Sequence, residues 1–202
     1  EFGHHIYWNS LTSIRDVAAF HEGLMSAIRR KVSVEYAEVW ENWLEEIFAD
    51  ICGVLFAGPE YVVSCQELAA EQVKSPEEFV LDDREHPSLF IRPVIVEKVM
   101  EAIKGRINDG TFESAHTALS QRWSVFSADL ISQLESKVLR SNNDIPEDEL
   151  WRERVGVLKD EVAAVVSTVL YEPCWPGGWS LLDLVEFYGK NSLSAQDVLE
   201  LD

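Results

Sequence analysis

The first residues of the chain, Glu1-Phe2-Gly3-His4-His5, hold a glutamate and, three positions on, a histidine. This is the offset those two residues have in a His-Glu-x-x-His zinc helix, where two histidines one turn apart face a single ion and the glutamate reaches the metal-bound water. On that pattern Glu1 is the expected catalytic base and His4 a zinc ligand, with the first histidine expected immediately before Glu1. Glu-Phe-Gly-His-His resembles neither an initiator Met nor the small-residue product of signal cleavage, so further sequence is expected upstream.

A third protein ligand must come from a separate element, since a catalytic zinc site keeps its fourth position for water. Glu46-Ile47-Phe48-Ala49-Asp50 lies on a strongly helical segment and places two carboxylates one turn apart on one face. Glu46 is the expected third ligand. Asp50 is expected to accept the N–H of a ligating histidine and fix its tautomer. The second half of this helix is apolar nearly all round, which puts it in a core, where an ionisable side chain needs a partner.

A later segment, His86-Pro87-Ser88-Leu89-Phe90-Ile91-Arg92, completes a pattern. With it the chain resembles the gluzincin metallopeptidases, and among them the group of CAAX prenyl endopeptidases and bacterial heat-shock membrane proteases. Those enzymes combine an H-E-x-x-H helix, an E-x-x-A-D helix and an H-P-x-x-x-x-R segment in this order. The resemblance spans residues 1–107 and implies a zincin-like helical core, a Zn2+ cofactor and a peptide or protein substrate. It also implies that His86 and Arg92 lie near the active site and stabilise the oxyanion of a tetrahedral intermediate. The implied chemistry is amide hydrolysis by a metal-bound water whose pKa falls toward about 7, with Glu1 carrying its proton to the leaving amine. Cationic groups such as Arg92 would offset the developing charge.

The elements that must hold these residues are helical, since apolar residues recur every three to four positions and alternating strand patterns are hard to find. The expected fold class is all-α. A helix or helix pair is expected over 2–30, then one capped by Ser33 and ending at Gly58-Pro59, one from Pro59 to about Val73, and one from Ser88 to Ile107 with Pro93 in its first turns. Asn108-Asp109-Gly110 is a turn signal. Long helices over 112–139 and 147–171 are expected to pair as an antiparallel hairpin. Short helices are expected at 180–188 and 195–199. The expected organisation is a zincin-like core over 1–110 and a helical extension over 111–202 packed on it.

The 202 residues carry 36 acidic against 17 basic side chains, a formal net charge of −19. Such a field repels phosphate backbones and anionic headgroups, so neither nucleic acid nor a membrane is an expected partner. The longest nearly apolar runs, 51–58 and 162–171, fall short of the roughly 20 residues of a membrane helix. Three cysteines, Cys52, Cys65 and Cys174, lack C-x-x-C spacing and are odd in number, which fits a reducing cytoplasm better than a disulfide framework. Apolar surroundings should raise the pKa of Cys52 and Cys65, against a thiol nucleophile.

Plainer readings exist for each motif. Glu46 and Asp50 would be a solvated stripe paired with arginines, His86 a helix cap, and Arg92 a partner of Glu85 or Glu97. His21 and His116 read as ordinary helix residues, and the tryptophans as core. The rival function is a non-catalytic acidic helical module that binds a protein partner through the hairpin. An upstream fragment or a regulatory protein is a further partner under the peptidase reading. The two functions part on the residue before Glu1 and on metal content.

Overall fold

The computed structural model describes residues 14–75, 79–80, 85–104, 106, 110–140, 147–175 and 177–190. They form α1 (Ile14–Arg29), α2 (Ala37–Asn42), α3 (Leu44–Ala57), α4 (Pro59–Gln72), α5 (Ile91–Ile103), α6 (Gly110–Arg140), α7 (Glu147–Tyr171) and α8 (Leu181–Lys190). Among the described residues there is no strand, and the fold is all-α. Among the described residues the one pairing of extended backbone is an isolated bridge between Trp175 and Trp179.

Helix α5 organises the packing. Ile91, Pro93, Val94, Ile95, Val96, Val99, Met100 and Ile103 are all buried, so the helix has apolar residues on most of its circumference and must be covered on most sides. It packs against α7, α3, α4 and α6. The long helices α6 and α7 therefore make their main contacts with α5 and its neighbours rather than with each other: α6 lies on α4 and α5, and α7 on α5, α1, α8 and α3. Near their successive ends the two helices are joined by an ion pair between Arg152 and Glu135 at 3.3 Å, while along their length each lies on α5. One apolar cluster runs from Phe20 through α3, α4 and α5 to Trp123, Val162, Val166, Leu170 and Leu181. Residues beyond 110 thus share the core of those before it.

Two boundaries differ from the periodicity. The helix expected from Ser33 to Gly58 is divided at Trp43, whose φ of −90° and ψ of −4° lie in the sparsely populated bridge region. The division lets Trp40 and Trp43, both 0% exposed, meet edge to face at 5.6 Å. Ser33 does not cap a helix. Its N–H donates to Glu161 Oε1 at 2.6 Å while Glu161 Oε2 accepts from Trp40 Nε1 at 2.7 Å, and a turn closed by Tyr36 N–H on Ser33 O precedes α2.

The corner between α3 and α4 is tight. Gly58 has φ 62° and ψ −141°, a conformation open in practice to glycine alone, and Pro59 follows at the first helical position, where its missing N–H costs nothing. The chain is thereby folded back so that α4 crosses α3. At the start of α5, Ser88 Oγ accepts from Ile91 N–H at 3.3 Å, and Ser88 O accepts from Arg92 N–H at 3.1 Å. The helix begins three residues later than expected because Ser88, Leu89 and Phe90 form this entry turn.

Beyond α7, Gly178 N–H bonds to Trp175 O and Trp175 N–H to Trp179 O, both at 3.0 Å. Gly177, with φ 85°, occupies the left-handed position of that turn. The turn seats Trp175 against Phe20 at 4.8 Å and against Phe48 of α3 at 6.2 Å. Ser180 and Asp183 then cap α8 reciprocally, with Asp183 N–H on Ser180 Oγ at 3.1 Å and Ser180 N–H on Asp183 Oδ2 at 3.0 Å.

Candidate functional site

Four of the singled-out residues meet at one place. Glu46 lies in the first turn of α3, Asp50 one turn on, Arg92 at the second position of α5, and His86 in the segment leading to α5. The Arg92 fork grips Asp50, with Nε to Oδ2 and Nη2 to Oδ1 both at 2.9 Å and Nε to Oδ1 at 3.2 Å. Such two-point pairing is the strong form of a charge-assisted bond. Arg92 Nη2 also stands 3.3 Å from Glu46 Oε2. On the other side of Glu46, His86 Nε2 is 3.9 Å from Oε1.

Tyr61, in the first turn of α4, completes the inner part. Its hydroxyl donates to Asp50 Oδ1 at 2.6 Å. Gly53 makes this approach feasible: a Cβ there would lie 2.5 Å from Tyr61 Cζ and 2.7 Å from Cδ2, well inside contact distance. The absence of a side chain at Gly53 is thus a slot for the phenol ring, and the Gly58 corner brings α4 across it.

The cluster grades from dry to wet. The Asp50 side chain is 0% exposed, Glu46 17%, Arg92 30% and His86 51%. Burial pushes the Asp50 carboxyl above its ordinary value, and the Arg92 charge and hydrogen bonds, with the Tyr61 hydroxyl, pull it back. For Arg92, burial acts to lower the pKa, but the charge and hydrogen bonds of Asp50 override it and hold the guanidinium firmly protonated. Burial and the adjacent Asp50 both raise the Tyr61 phenol, so it stays a donor.

Several plainer alternatives for these residues can be decided. Glu46 and Asp50 are paired with an arginine of another helix, as the plainer reading has it, but Asp50 is buried and Glu46 half-buried, so they are not a solvated stripe. Arg92 pairs with Asp50 and Glu46, and the hydroxyl that caps the following helix belongs to Ser88. Glu1 and His4 lie outside the described residues, so the histidine expected to donate to Asp50 is not in view. The donors recorded on Asp50 are Arg92 and Tyr61. Tyr61 and Gly53 were not singled out from sequence. The available signal was a glycine inside an otherwise apolar helix, three positions after a buried aspartate.

The fit of this cluster to a metal ion is partial. Among the described residues no three His, Cys, Asp or Glu side chains stand together as an ion site. Asp50 is committed to Arg92 and Tyr61, and Glu46, the more exposed carboxylate, is itself paired with Arg92 at 3.3 Å. A complete set requires imidazoles from the segment that holds His4.

The buried thiols are poor nucleophiles, although Cys65 lies near enough to the cluster to feel the charges of Asp50 and Arg92. Burial pushes both Cys52 and Cys65 up to about 12, and Cys174 is partly exposed. In the native protein Cys174 is expected to react with a thiol reagent well before the other two, and all three should react at similar rates in denaturant. The same shifts predict alkaline sensitivity. The stability contributed by the protonated thiols is complete below about pH 9 and lost as pH rises toward about 12, since the unfolded chain releases those protons first. Urea melts at pH 8 and pH 10.5 would check this.

Comparison of the chain with family models, with curated proteins and with solved structures returns no match. No helix among the described residues is long and apolar enough to cross a membrane.

Proposed function

We propose that this chain is a zinc-dependent peptidase, with Glu46 and His4 among the metal ligands and Glu1 as the general base. The observation that supports it is the meeting of Glu46, Asp50, His86 and Arg92, two motifs far apart in sequence, on one patch that grades from a buried aspartate to a half-exposed histidine. A carboxylate oxygen with two imidazoles is a donor set that suits a catalytic zinc. When bound, the ion would supply an activated water and polarise the scissile carbonyl.

The remaining roles belong to the protein. Glu46 presents its carboxylate from α3 while Arg92 Nη2, at 3.3 Å from Oε2, restrains it. Arg92 is held by Asp50 and lies across two carboxylates, which makes it a positioning residue and weakens its field at any substrate. His86 stands half-exposed beside Glu46 Oε1 and is the group assigned to stabilise the oxyanion. Glu1 takes the proton of the attacking water and delivers it to the leaving amine.

The test is zinc content by elemental analysis of the chain carrying its natural upstream residues, with Glu46→Gln beside it. The expected result is about one zinc per parent chain, and affinity lowered by at least about tenfold in the variant, the amide being a poor zinc ligand. A parent without zinc would sink the peptidase reading. The acidic helical interaction module would then be the better account.

A further inference from the structure

We infer that Tyr61, seated in the slot left by Gly53, is a positioning residue that sets the Arg92 guanidinium, and through it the Glu46 carboxylate, in place. The inference rests on the reading of Glu46 as a ligand for its functional consequence, but the contact chain is independent of it. Asp50 Oδ1 is the shared atom: it accepts from Tyr61 Oη at 2.6 Å and from Arg92 Nη2 at 2.9 Å. Fixing that oxygen from the α4 side fixes the rotation of the carboxylate, and the rotation of the carboxylate fixes the plane of the guanidinium that forks onto it. The same Nη2 is the atom that faces Glu46 Oε2 at 3.3 Å. Without the phenol, Asp50 is held by the Arg92 fork alone, so carboxylate and guanidinium can turn together about the broad terminal torsion of Asp50, and the nitrogen nearest Glu46 moves with them.

Three helices are needed for this relay. Helix α3 carries Glu46, Asp50 and Gly53, α4 brings Tyr61 across after the Gly58 corner, and α5 brings Arg92. The spacing within α3 matters, because Asp50 and Gly53 are three apart and so neighbours on one face. A phenol that crosses the helix at Gly53 is thereby delivered to the carboxylate a turn earlier. A larger residue at position 53 would lift the ring and break the relay even with Tyr61 intact. The buried partner of Tyr61 is thus selected by a residue that has no side chain.

The test uses Tyr61→Phe, which keeps the ring in its slot and removes only the hydroxyl, with Gly53→Ala as a second route to the same loss. Two quantities are read on the chain carrying its upstream residues: hydrogen exchange of the Arg92 Nε–H by NMR, and affinity for Co2+ as a spectroscopic substitute for zinc. Exchange at Arg92 is expected to accelerate by about tenfold or more in Tyr61→Phe, and Co2+ affinity to fall by about tenfold. A side chain that merely fills space would move neither. Unchanged Arg92 exchange overturns the inference whatever the metal does, as does faster exchange with unchanged affinity in a parent that binds Co2+. A parent that binds no Co2+, with Arg92 exchange still faster in the variant, overturns the zinc reading and supports the relay from Tyr61 to Arg92.

Discussion

Arg92→Met is expected to lower the unfolding free energy by about 3–5 kcal/mol, read from urea melts at neutral pH. Methionine keeps most of the apolar stem, so what is lost is the fork on Asp50. That leaves a carboxylate with 0% exposure and Tyr61 as its recorded donor. Removing one member of a buried pair is costly because the other charge stays behind, not because the pair itself contributes so much. The double variant Asp50→Leu/Arg92→Met separates the two accounts. It is expected to recover at least half of the loss, since neither charge remains. A single-variant loss below about 1 kcal/mol would instead place the pair with ordinary surface ion pairs.

The loss in Arg92→Met should also depend on pH, with a sign that follows from the direction of the Asp50 shift. Burial raises the Asp50 carboxyl and Arg92 opposes it, so without Arg92 the folded-state value climbs further. A raised folded value means that stability is complete below the unfolded carboxyl pKa of about 4 and falls as pH rises through the folded value. The gap between variant and parent is therefore smallest near pH 4 and widens toward neutral pH. A gap that is widest in acid would mean that Asp50 is ionised in the variant as readily as in solvent.

The helical class was legible because the period of the apolar residues is set by local geometry; the central place of α5 was not among the expectations, although Val94, Ile95, Val96, Val99 and Met100 leave it little polar face. The apolar setting of Glu46 and Asp50, amid Ile47, Phe48 and Ile51, calls for a partner for any ionisable group there, but it favours a metal site over pairing with arginines, and the partner the structure supplies is Arg92. What sequence did not reveal is which cation and from which side. Arg92 is supplied by a helix whose approach depends on the packing of α6 and α7, a long-range outcome. The break at Trp43 has a similar origin, because two tryptophans three positions apart, seeking one interior, override a continuous helical pattern. Tyr61 and Gly53 stayed hidden because what marks them is a missing side chain. A glycine in a helix ordinarily reads as a weakness of about 1 kcal/mol, and only the crossing of α4 turns it into a requirement.

That distinction gives the second large prediction, a contrast between two helical glycines. A Cβ added at Gly156 of α7 meets nothing within 4 Å, so Gly156→Ala is expected to stabilise by about 0.5–1 kcal/mol through reduced unfolded-state freedom. At Gly53 the same backbone gain is opposed by overpacking against the Tyr61 ring, about 1–3 kcal/mol, and by the weakened bond from Tyr61 to a charged acceptor, about 1.5–3 kcal/mol. The net expectation is a destabilisation of about 2–4 kcal/mol, the two costs overlapping because one movement of the ring causes both. Because both costs act through Tyr61, they should vanish with it. In a Tyr61→Ala background the added methyl at position 53 finds space, and Gly53→Ala should turn neutral or mildly stabilising, as at Gly156. Urea melts of the four proteins in this cycle would measure the coupling, and a Gly53→Ala cost unchanged by the loss of Tyr61 would show that the glycine is required for some reason other than the ring that crosses it.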